Sequence, residues 1–86
     1  MASYSLLIKA SAAKELEATP KKDRARLAAR SGGLAATPRP PGSKKLSGEE
    51  KYRIRQGDYR ILYLIEDAIS TVTIVKIGHR REVCRK

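Results

Sequence analysis

Apolar and polar positions interleave at the start of the chain. Tyr4, Leu6 and Ile8 alternate with Ser5, Leu7 and Lys9, which is the two-residue period of a strand. The period then lengthens. Ser11 is placed to cap a helix running through Ala12, Ala13 and Leu16 toward Ala18. Thr19-Pro20 breaks that helix, and Pro20 suits the first turn of another. The second helix carries Leu27, Ala28, Leu34 and Ala35 on one face, with Ser31 in mid-stripe where an aliphatic residue is expected. Gly32 and Gly33 follow. Each glycine costs a helix about 1 kcal/mol relative to alanine, so the helix is expected to be weak or to end early.

Thr37 to Ser43 holds Pro38, Pro40 and Pro41 and reads as a stiff, extended connector. Beyond it the two-residue period returns. Lys51 to Gln56 and Tyr59 to Glu66 are strands about the turn Gly57-Asp58. Asp67 to Ser70 is a further turn, and Thr71 to Ile77 is the last strand. The expected architecture is α+β: an N-terminal strand, two helices, then a three-stranded antiparallel meander with the helices packed on one sheet face. A chain of 86 residues is expected to form a single domain, 1–86.

The turn also fixes which side chains share a face. With Gly57 and Asp58 as the loop, Gln56 opposes Tyr59, Arg55 opposes Arg60 and Arg53 opposes Leu62, and opposed residues project to the same side. Arg53, Arg55 and Arg60 therefore leave one side of the sheet. Tyr52, Ile54, Tyr59, Ile61 and Tyr63 leave the other and are the candidate core.

Composition sharpens this picture. The formal net charge is +10 and the pI about 10.2. Such an excess opposes compaction and points to a polyanionic partner. There is no Trp and no Phe, so aliphatic residues and four tyrosines must build the core. A single cysteine, Cys84, excludes an internal disulfide and fits a reducing compartment. The N-terminus lacks a signal-peptide pattern, and the longest apolar run, Ile61 to Ile65, is too short to span a bilayer. A cytoplasmic protein with no membrane partner is expected.

Two arginines opposed on a sheet repel, and arginine forks match phosphate oxygens. An anion site on the hairpin follows. The last strand is expected to return His79, the sole histidine, to the hairpin end. His79 is the one side chain whose ordinary pKa lies near neutrality, and so the candidate for proton transfer. These residue types suit RNA cleavage, in which the ribose 2′-OH attacks the adjacent phosphate and fixed cations meet the developing charge. Asp58, Glu66, Asp67 and Glu82 show no metal-ligand spacing, so a metal-independent reaction without cofactor is expected.

Three runs carry a resemblance. They are Pro38-Arg39-Pro40-Pro41-Gly42-Ser43-Lys44-Lys45-Leu46-Ser47-Gly48, the hairpin from Tyr52 to Tyr63, and Gly78-His79-Arg80-Arg81-Glu82-Val83. Together they resemble the RelE family of bacterial toxins. The resemblance implies a ribosome-dependent endoribonuclease that cuts mRNA and is held inactive by a cognate acidic antitoxin protein. It implies catalytic roles for Arg53, Arg55, Arg60, His79 and Arg80, and substrate-binding roles for Lys45, Arg81 and Cys84. Cys84 stands where the family usually has a tyrosine, which implies a weakened nuclease. The related ParE toxins share the fold and are thought to act on DNA gyrase, so a non-nucleolytic inhibitor, or a toxin that only binds RNA and antitoxin, is the alternative.

Overall fold

The computed structural model describes residues 3–46 and 50–79. Its elements in chain order are β1 (Ser5–Ile8), α1 (Ala10–Glu17), α2 (Lys21–Gly33), β2 (Lys44–Lys45), β3 (Lys51–Gln56), β4 (Tyr59–Glu66), a short 3-10 turn (Asp67–Ile69) and β5 (Thr71–His79). The strands form one sheet in the order β1-β5-β4-β3-β2. The meander β3-β4-β5 is antiparallel, as the sequence predicts. β1 adds to it in parallel along β5, from Ser5 opposite Thr71 to Ile8 opposite Ile74.

The core lies between the sheet and the helices. Ala12, Leu27 and Leu34 meet Tyr52, Ile54, Ile61, Tyr63, Ile65, Val72, Ile74 and Ile77. The expected apolar face is thus the covered one, and Tyr59 packs at its margin. α1 lies along β5, whose edge it also closes. β1 stops opposite Ile74. Beyond that point the Glu15 carboxylate accepts from the Ile77 amide at 2.8 Å and from Lys76 Nζ at 2.7 Å.

Four local expectations are corrected. Ser11 does not cap α1; the helix starts at Ala10 with Lys9 at its N-cap, and no side chain caps it. α2 ends at its second glycine, Gly33, so Leu34 and Ala35 lie beyond the helix rather than on its face, with Leu34 buried in the core from the C-cap position. The proline connector leads into a short edge strand, Lys44 and Lys45, paired with Arg53 and Tyr52; two residues carry no periodic signal. β5 continues two residues past Ile77 to His79, because β4 still offers Arg60 and Tyr59 as partners.

The connector is itself tied down. Arg39 donates to both Asp67 carboxylate oxygens, at 3.4 and 2.9 Å, and its Nε donates to the Tyr52 hydroxyl at 3.0 Å. Its guanidinium lies 5.2 Å from the Tyr52 ring centroid. Tyr4 donates to the same carboxylate at 2.6 Å. Arg39 first, and then Tyr4, hold the Asp67 carboxyl below the usual carboxylate range. A depressed carboxyl stabilises the fold above its unfolded value, and that stability is lost as pH falls through the folded value. Thermal unfolding temperature is therefore expected to drop below about pH 4. Asp67→Asn should lower stability near neutrality and flatten that acid limb; an unchanged limb would remove Asp67 from the account.

The polar interruption of α2 gives a second expectation. Ser31 is buried, and among the described residues its hydroxyl has no hydrogen-bond partner. An unsatisfied buried hydroxyl costs about 1–3 kcal/mol. A Cβ at Gly32 would meet nothing within 4 Å. Ser31→Ala and Gly32→Ala should each stabilise by about 1 kcal/mol, raising the melting temperature by about 4–8 °C in a domain of this size. Calorimetry on the two single variants and the double tests both.

Candidate functional site

The hairpin turn organises the site. Gly57 adopts φ 61°, the left-handed conformation that a two-residue turn demands of its first residue. The register that follows is the expected one, with Gln56 opposite Tyr59, Arg55 opposite Arg60 and Arg53 opposite Leu62. β5 extends each row. Arg60 opposes Gly78, and Tyr59 opposes His79. The sheet end therefore has two faces with different chemistry.

The first face carries Arg53, Arg55 and Arg60. Arg55 is exposed and Arg53 half-buried, whereas Arg60 is only 7% exposed. Sequence patterning places all three on an open charged face; it does not reveal that Arg60 is enclosed. Arg60 sits mid-sheet, and its β5 neighbour Gly78 has no side chain to compete for space. Arg60 is therefore a largely desolvated cation in the middle of the sheet. Among the described residues, Arg53 and Arg55 make no ion pair. Three of the seven described acids, Glu15, Glu50 and Asp67, are engaged elsewhere, by Lys76, by Arg39 and Lys45, and by Arg39.

The second face carries His79. Its ring meets the Tyr59 ring edge-on, with centroids 5.6 Å apart. The two line a cavity of about 280 Å³ with Glu15, Ala18 and Thr19 of the helical layer and Ile77 and Gly78 of β5. His79 is thus at the same end of the sheet as the arginines, as the sequence predicts, but it leaves from the helix side. A substrate must reach over the sheet end to touch both.

Lys45 lies on β2, beyond Tyr52, and its ammonium is 3.2 Å from Glu50. Arg80, Arg81 and Cys84, the remaining candidates, lie outside the described residues. Sequence reading missed Arg30 and Lys44, which flank Arg53 and Arg55 in a groove of about 470 Å³. Nothing in helical periodicity separates Arg30 from the other cations of α2; the signal lies in the tertiary approach of α2 to β3. Among the described residues, no three His, Cys, Asp or Glu side chains cluster as a metal site, and no helix is long and apolar enough to cross a membrane.

A twisted sheet of this order, with two N-terminal helices on one face and a cation-lined hairpin end, defines a RelE-like α+β toxin fold. Comparison with known proteins agrees. The family model described as ParE toxin of type II toxin–antitoxin system, parDE, matches residues 6–84, and the chain belongs to this RelE/ParE family of toxins. The toxin–antitoxin complex RelBE2 from Mycobacterium tuberculosis contains a chain of 30% identity and TM-score 0.81, with 93% of this chain and 94% of that one covered. The archaeal RelE–RelB complex from Pyrococcus horikoshii gives 26% identity and TM-score 0.78, over 91% and 96%. Toxin RelG of Mycobacterium tuberculosis is 37% identical over 46 residues, 54% of this chain. The match spans about half the length of that curated relative, 51%.

Proposed function

We propose that the protein is a ribosome-dependent endoribonuclease that cuts mRNA in the cytoplasm and stops translation. The observation that carries this reading is the registered row Arg55-Arg60, with Arg60 buried at its centre. A desolvated cation stabilises charge that appears in a transition state better than a solvated one does.

In the proposed reaction a base removes the proton of a ribose 2′-OH. The oxygen attacks the adjacent phosphorus, the bond to the 5′-oxygen breaks, and that oxygen leaves with a proton. The products are a 2′,3′-cyclic phosphate and a 5′-hydroxyl. Arg53 and Arg55 hold the backbone phosphates. Arg60 and Arg80 meet the charge on the phosphoryl oxygens. His79 serves proton transfer at the sheet end. Lys45 and Arg81 bind flanking RNA. Cys84 lies at the family's tyrosine position, where an aromatic ring could stack on a base, so the chain is a weakened member of its class.

The same arginine face suits a cognate antitoxin of acidic character, in keeping with the antitoxin partners of the two RelE–RelB-type complexes above. A second reading, gyrase inhibition without nuclease activity, is favoured by the ParE description of the matching family model. Mapping mRNA ends on programmed ribosomes separates the two. Cuts that leave cyclic phosphate ends, and vanish when the scissile ribose is 2′-deoxy, support the nuclease. Intact mRNA with inhibited supercoiling would replace it with the gyrase reading.

A further inference from the structure

β2 pairs only with Tyr52 and Arg53. The chain before it, at Gly42 and Ser43, leaves the edge of β3, and α2 approaches from the other side. The groove so formed is lined by Arg30, Gly42, Ser43, Lys44, Arg53 and Arg55, with Ile54 at its floor. Four of these residues are cationic and none is acidic. Among the described residues, none of the four is in an ion pair.

Arg30 is the unusual member. It is half-buried, and among the described residues its buried Nε–H has no hydrogen-bond partner. Its head lies against Gly42, where a Cβ would stand 4.0 Å from Arg30 Nη2. Gly42 has φ +95°, so a side chain there would be strained. The guanidinium carries five donors, and no described carboxylate neutralises it, which leaves it a cation able to take an anion from outside the chain.

We propose that this groove is a second phosphate subsite, with Arg30 as its principal cation, holding an RNA phosphodiester that flanks the scissile one. The inference rests on the reading of RNA as substrate and extends the strand's path off the sheet onto α2. Alternate residues of a strand stand about 6.6 Å apart, a step similar to that between neighbouring phosphates of an extended RNA. Arg53 and Arg55 therefore suit successive phosphates, and Arg30, across the groove, suits the next. Phosphodiesters present charge at every nucleotide, which fits four cations in one groove better than the scattered carboxylates of an acidic peptide.

The test uses a short 2′-O-methyl RNA, which cannot be cut, in a salt series followed by fluorescence anisotropy. Arg30→Gln should weaken binding roughly tenfold, as expected for one charge-assisted hydrogen bond, and lower the salt slope by about one. Arg30→Lys should recover part of both. Lys22→Gln removes the same charge at an exposed position on α2 and should change affinity less than about twofold, since a diffuse charge effect is small beside a phosphate contact. On ribosomes, Arg30→Gln should raise KM for mRNA and leave kcat unchanged, with the melting temperature that of the wild type. If Arg30→Gln matches Lys22→Gln, or if it weakens only the binding of a polyglutamate peptide, the subsite is overturned. If the RNA probe binds through Arg30 while mRNA is never cut, the subsite stands and the nuclease reading falls.

Discussion

Arg60→Ala is expected to lower the single-turnover rate of mRNA cleavage on ribosomes by roughly a hundredfold or more, the loss that follows removal of one preorganised donor. Ribosome binding should change far less. Arg60 is enclosed while Arg55, directly opposite, is exposed, so Arg55 is the one that incoming phosphates meet first. In the proposed reaction Arg60 interacts most strongly with charge that develops after docking, and such an interaction acts on the rate rather than on affinity. Arg60→Lys keeps the charge but loses the planar fork, and should recover only part of the rate. Equal losses in binding and rate for Arg60→Ala would make the residue a docking contact.

Tyr63→Ala is expected to remove a large share of the protein's folding stability. The ring is fully buried and stacks on Tyr52 at 5.8 Å between centroids, and the hydroxyl donates to the Pro38 carbonyl at 2.8 Å. Burial pushes the phenol pKa up, so the group remains a donor at physiological pH. Deleting an aromatic ring from a core costs about 3–5 kcal/mol, against a total stability of about 5–15 kcal/mol for a typical domain. Tyr63→Phe keeps the ring and loses one hydrogen bond, a cost of about 1 kcal/mol. Urea denaturation of the pair measures both. Near-equal stability of the two variants would mean that the core closes over the missing ring.

The hairpin was the most legible part of the sequence, because one two-residue turn fixes the pairing of every residue from Lys51 to Leu64. The arginine face followed from that register alone. Its depth did not, since alternation tells which side Arg60 leaves from but not what encloses it. The side from which His79 leaves depends on an irregularity between Leu62 and Tyr63, where the β4-β5 register shifts by a residue; no local pattern announces such a bulge. β2 and the role of Arg30 were hidden for a related reason. Each arises where segments distant in sequence approach, and neither has a period of its own. α2 ends at the second of its two glycines, in keeping with their low helix propensity, and Leu34 reaches the core from just beyond it.

The pairing of β1 with β5 joins residues 5–8 to residues 71–74. β1 therefore waits for β5 before it gains a neighbour in the sheet. Until Thr71 to Ile74 has emerged, Leu6, Leu7 and Ile8 have no neighbour in the sheet and Glu15 has no β5 amide to cap. Contacts of such long sequence separation also close slowly. The sheet therefore stays open along β5 until that strand has been made, although the β3-β4 hairpin that carries the arginines pairs only locally.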